Sequence, residues 1–165
     1  MNEISHILRK AVIDALNPIT VTFDGGFHYA LDLDFGGSIG QVIIPIFDER
    51  VNPAVQLPDL MGSKSYVLVR DQQEVETTND KCSFRQNAFI TLDCICKFPP
   101  NVGSKYASEL ISAYIQPLMS GVIDVPGWQV LNVQKVNSQS IVEQGVNNTA
   151  YRKILTYSFD VYELA

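Results

Sequence analysis

The chain has 165 residues, of which 46% are apolar and 18% charged, with a formal charge of −6. These proportions are those of a globular protein and exclude wholesale disorder, and the length suits one domain that buries roughly two-thirds of its unfolded surface. The acidic balance argues against a nucleic-acid grip, which requires clustered Lys and Arg, and no apolar run is as long as a membrane-spanning helix.

The first residues lack the apolar core of a secretory leader, so the cytoplasm is the expected place of action. Residues 3–16 read as a core-packing helix with the stripe Ile4, Ile7, Leu8, Ala11, Val12, Ala15 and Leu16, closed by Asn17-Pro18. A hairpin is expected over 19–40. Val21 and Phe23 lead into the turn Asp24-Gly25-Gly26, after which Phe27, Tyr29, Leu31, Leu33 and Phe35 alternate with His28, Ala30, Asp32 and Asp34. This segment is read as an inserted hairpin or arm whose apolar side must be buried, against a neighbouring subunit if the body has no room for it.

Val42–Phe47 is a short strand that Pro45 assigns to an edge or a bulge. Irregular chain from Asp48 to Ser63 precedes a buried strand over Ser65–Arg70. Asp71–Ser83 is polar and charged and is either a second protruding hairpin or a long loop, with the strand character of Glu74 to Thr78 favouring the hairpin.

From Phe84 the period is two. Ala88, Ile90, Leu92, Cys94, Cys96 and Phe98 face one way, with Asn87, Thr91, Asp93 and Lys97 opposite. Phe89 and Ile95 interrupt the polar side, which is therefore expected to be covered in part. Pro99-Pro100 ends the strand, and the period becomes 3.6 over Ala107–Met119, with Ala107, Leu110, Ile111, Tyr114, Ile115 and Leu118 as the stripe. Pro117 is expected to kink or shorten the last turn. Trp128–Val136 is the next strand, with a less regular polar continuation through Ile141 and Val142. The turn Gly145-Val146-Asn147-Asn148 leads into a last strand, Tyr151–Leu164, with Leu155, Tyr157, Phe159 and Val161 inward. The fold expected is α+β: a mainly antiparallel sheet, two helices on one face, and protruding hairpins.

Chemistry-bearing patterns are missing from the sequence. There is no glycine-rich phosphate loop and no nucleophile elbow, and neither His6 nor His28 has a local partner to make it a base. Cys94 and Cys96 read as small buried apolar side chains, because a metal site would need further ligands beside them. Asp32 and Asp34 lack the other oxygen ligands of a calcium loop and read as a solvated strand face. No enzyme activity, catalytic residue, metal or cofactor is expected.

The order of elements resembles the tail completion or tail terminator proteins of tailed bacteriophages. The resemblance rests on the initial helix, the strands Val42–Phe47 and Tyr66–Arg70, the strand Phe84–Phe98 entering the helix Ala107–Met119, and the closing hairpin Trp128–Leu164. It implies a homo-oligomeric ring in the virion neck or tail, assembled in the host cytoplasm. The ring would contact connector or portal-side proteins and tail proteins, and DNA would pass through it without specific binding. The hairpin at 19–40 departs from the family's usual form and leaves a head-to-tail connector adaptor open beside the terminator. The residues then expected at subunit contacts are Phe23, Phe27, Tyr29, Leu31, Val75, Thr77, Ile141 and Val146. A small ligand-binding or regulatory α+β domain without catalysis is the alternative.

Overall fold

The computed structural model describes residues 4–23, 25–80, 83–121 and 123–164, with the side chains of 5 and 71–84 outside the description. In chain order the elements are α1 (Ser5–Ala15), β1 (Ile19–Phe23), β2 (Gly26–Asp34), β3 (Gln41–Asp48), β4 (Asp59–Leu60), β5 (Ser63–Asp80), β6 (Ser83–Phe98), α2 (Tyr106–Met119), β7 (Trp128–Gln144) and β8 (Thr149–Glu163). Among the described residues the strands form one sheet in the order β1-β2-β3-β5-β6-β8-β7, with β4 paired to β5. The class is α+β and the sheet is mostly antiparallel.

α1 stops where the sequence stops it. Asn17 takes a left-handed φ of 52°, which asparagine tolerates better than most residues, and Pro18 follows. Leu8, Ala11, Val12 and Ile13 of α1 are buried, as are Ile4 and Leu16 at its two ends. Arg9, on the same helix, bonds to Asp48 at 2.7 Å and lies 3.3 Å from Glu49, tying α1 to the end of β3.

β3 is not an edge strand. It pairs antiparallel with β2 and parallel with β5, but the β5 pairing begins at Ile46, just past Pro45, which has no N–H to contribute. The parallel register requires a long return, supplied by 49–62, and Val55 from that segment is buried.

β5 and β6 pair all the way from Lys64↔Lys97 to Asp80↔Ser83, with Gln72 and Thr77 as extra residues at two register shifts. The polar segment 71–80 thus pairs with 83–90 of β6, which from Arg85 on is bonded on its other side to β8. The even positions of β6 from Ala88 to Phe98 lie in the main core as the alternation requires. That core also takes in Val67 and Val69 of β5, Leu155, Phe159 and Val161 of β8, and residues of both helices. On the odd side of β6, Thr91, Asp93 and Ile95 are buried as well. Ile95 joins Phe47, Val55 and Tyr66 in a second, smaller cluster.

α2 is rotated from the expected stripe. Its buried residues are Ala107, Ser108, Ile111, Ser112, Ile115 and Met119, whereas Tyr114 and Leu118 are exposed. Two buried serines make this possible. Their hydroxyls donate one turn back, Ser108 to the Lys105 carbonyl and Ser112 to the Glu109 carbonyl, both at 2.9 Å, so the small side chains face the core without an unmet polar group. Pro117 sits inside the helix, which runs on to Met119.

Candidate assembly surfaces

The expected contact residues fall into distinct environments. Leu31 is 2% exposed and belongs to the main core, together with Leu33 on the same strand. Burial against its own chain leaves Leu31 no surface for a neighbour. Ala30 is also buried, so the second half of β2 is part of the body rather than an arm. Tyr29 is half-buried against the main core beneath the Lys10 ammonium, 5.2 Å from its ring centre. Phe23 is half-buried against the second cluster, its ring 6.0 Å from that of His28. Phe27 alone of these aromatics projects, 59% exposed, with its ring edge-on to Tyr29.

At the far end of the sheet Val146, in the loop between β7 and β8, is 93% exposed. Ile141 is half-buried opposite Arg152. Val75 lies opposite Asn87 in the β5–β6 ladder and Thr77 is an extra residue at a register shift; both side chains lie outside the described residues.

Sequence reasoning missed further exposed apolar residues on β7. The strand runs unbroken from Trp128 to Gln144 but shifts register twice, and the residues left over are Leu131 and Val136. Each bulge takes its residue out of the regular alternation. Both are 48% exposed, as is Val142. The available signal was the broken period of 128–142, which reads as polar irregularity in sequence. Beside this strand lies an open cleft of about 650 Å³, with Trp128, Val130, Leu131, Ile123 and Leu164 among its lining residues. A second open groove of about 580 Å³ runs along α1, between Ile7, Ala11 and Ala15 on one side and Ile123 and Pro126 on the other.

Several charged groups are tied to one another across the sheet. Asp93 is fully buried between Arg70, at 2.9 Å, and Arg152, which also reaches Glu143 at 2.5 Å. The network crosses β5, β6, β8 and β7. Its hydrogen bonds to Asp93, reinforced by Glu143, hold the Arg152 guanidinium even more firmly protonated than usual. Arg85 pairs with Asp160 through two hydrogen bonds and holds that carboxyl below the usual aspartate range. Burial pushes the Cys94 thiol well up, and the neighbouring Cys96 adds to it; burial likewise raises Cys96. Ser65 donates to the Cys96 sulfur at 3.4 Å. Both thiols are therefore held in the unreactive protonated form. Among the described residues no group of three or more His, Cys, Asp or Glu is placed to hold a metal ion, and no helix is long and apolar enough to cross a membrane.

No protein-family model matches this chain, and no curated protein matches it. Its own surfaces carry the functional reading.

Proposed function

We propose that this chain is a structural virion protein, a ring-forming subunit of the neck or tail of a tailed phage. Its role is that of a tail terminator or completion protein, or of a head-to-tail connector adaptor, joining the portal side to the tail around the DNA channel. One observation carries the reading: exposed apolar side chains stand at both ends of a single sheet. Ile19 and Phe27 mark the β1–β2 end, and Leu131, Val136, Val142 and Val146 the β7 end. Two different patches on opposite ends suit a heterologous contact that closes by rotation.

In this reading both helices cover one face of the sheet, while the β1–β2 and β5–β6 hairpins reach toward neighbours. The net charge of −6 suits a channel from which DNA is repelled as it passes. Contacts above and below are with connector and tail proteins, in a particle assembled in the host cytoplasm. The role requires no catalysis and no cofactor.

Native mass spectrometry tests it. The expected result is a ring, or a monomer that assembles when the connector ring is supplied. A stable monomer carrying a small molecule in an enclosed pocket would refute it. The groove along α1 favours that other reading, a small ligand-binding or regulatory domain, because about 580 Å³ of largely apolar lining falls within the size of ligand sites.

A further inference from the structure

The sheet ends in two strand edges of different character. Among the described residues β1 pairs with β2 alone. Its five residues, Ile-Thr-Val-Thr-Phe, contain no proline, charge or bulge, the devices with which proteins discourage edge pairing. At the opposite end, among the described residues, β7 pairs with β8 and otherwise only bridges Val125 at Trp128. The first half of β7 is interrupted at Leu131 and Val136, but Asn137–Gln144 runs in unbroken register from Asn137↔Thr156 to Gln144↔Thr149. β1 is short enough to lie along that stretch.

Charge decides which edges meet. Residues 4–49, which build α1 and β1 to β3, carry Asp14, Asp24, Asp32, Asp34, Asp48 and Glu49 against Arg9 and Lys10. Residues 135–153, around the second half of β7, carry Lys135, Arg152 and Lys153 against Glu143, and since Arg152 is bonded to Glu143 and to the buried Asp93, the basic character of this end comes from Lys135 and Lys153. Lys135 and Lys153 bond to neutral oxygens, Gln116 Oε1 at 2.8 Å and Ser140 Oγ at 3.4 Å, and among the described residues no carboxylate is paired with either. Two β1 edges together would juxtapose two acidic ends, and two β7 edges two basic ones. β1 against β7 juxtaposes opposite signs.

We propose that a second copy of this chain adds its β1 edge to the Asn137–Gln144 stretch of β7, continuing the sheet from one subunit into the next. Each copy offers β1 on one side and β7 on the other, so the contact propagates until it closes into a ring. Backbone hydrogen bonds supply the affinity, as in other strand additions, and opposite charge sets the polarity. The inference rests on the ring reading and names the surfaces that would build the ring.

Covalent capture of the two edges tests it. Cys94 and Cys96 are buried, so a Cys82→Ser background serves as the parent for Thr22→Cys, Ser140→Cys and the double variant. Both substituted positions are exposed and lie at opposite ends of the sheet. Each protein is treated with a short bis-maleimide and separated under denaturing conditions, with thermal midpoints confirming that the variants fold. The double variant is expected to give a ladder of multimers, while each single variant runs as a monomer. Adding Thr20→Lys to the double variant is expected to abolish the ladder without lowering the midpoint. A covalent dimer from either single variant would mean that like edges meet and would overturn the proposal. A native-mass ring without a ladder from the double variant would overturn it and leave the ring reading standing. A monomer in native mass, with or without the connector ring, and no ladder would overturn both.

Discussion

Arg152 on β8 donates from Nε to both carboxylate oxygens of Asp93 on β6, at 3.3 and 3.1 Å, and Asp93 is fully buried. Ile95, two residues on and on the same face of β6, stands directly opposite Arg152 in the ladder, so the ion pair spans adjacent strands diagonally. A charge this deeply buried is tolerable because its partners are fixed in place.

Asp93→Ala takes the buried partner from the Arg152 guanidinium, leaving it bonded to the exposed Glu143, and removes the carboxylate that Arg70 bonds to. The expected loss is about 3 kcal/mol, read as a lower urea midpoint at constant slope. Asp93→Leu combined with Arg152→Leu should lose less than the sum of the two single changes, since neither charge is then left alone.

Gly103 sets the turn from β6 toward α2. Its φ is +116°, and a Cβ there would lie 2.5 Å from the Phe98 ring. That ring is packed edge-on against Tyr151, whose hydroxyl donates to the Gly103 carbonyl at 3.2 Å, so it has little room to yield. Gly103→Ala should cost about 2–4 kcal/mol from backbone strain and overpacking together. Differential scanning calorimetry should show the midpoint falling by roughly 5–15 °C.

Burial pushes the Tyr157 phenol up to about 12, with Cys94 adding to the effect. A raised folded value means that the stabilisation is complete below the unfolded value, about 10, and is lost as pH rises from there to about 12. Tyr157→Phe removes this loss. Its alkaline unfolding should begin at higher pH than that of the parent, with a difference on the order of 2 kcal/mol by pH 12. Coinciding alkaline limbs in a pH titration of circular dichroism would contradict the assignment.

Phe27 and Leu31 lie on the same side of one strand and should behave oppositely. Phe27→Ser removes an exposed ring and should change stability by no more than about 0.5 kcal/mol while weakening self-association. Leu31→Ala opens a cavity in the main core and should cost about 3 kcal/mol. Paired denaturation and sedimentation measurements on the two variants would separate the surface from the core.

Periodicity alone placed most of the secondary structure. The alternation from Phe84 to Phe98 and from Leu155 to Val161 marks strands whose inward residues are buried. Asn17-Pro18 marks the end of α1, and the broken polar side at Phe89 and Ile95 marks a face that is covered near Ile95. Such features are local: each follows from the backbone period or from the conformational limits of one or two residues.

What depended on distant chain was decided by tertiary structure. The sequence presents the 19–40 hairpin as an arm, yet Ala30, Leu31 and Leu33 are core, because β3 pairs along β2 and brings that strand into the body of the sheet. Pro45 reads as an edge marker, yet β3 is interior, since β5 arrives in parallel only beyond the proline. The α2 stripe reads from its large residues, yet Ser108 and Ser112 face inward because their hydroxyls are satisfied within the helix. Leu131 and Val136 look like ordinary strand residues until the register with β8 leaves them as the extra ones. A single chain's pattern states which residues avoid water; only pairing and packing state which of them still meet it.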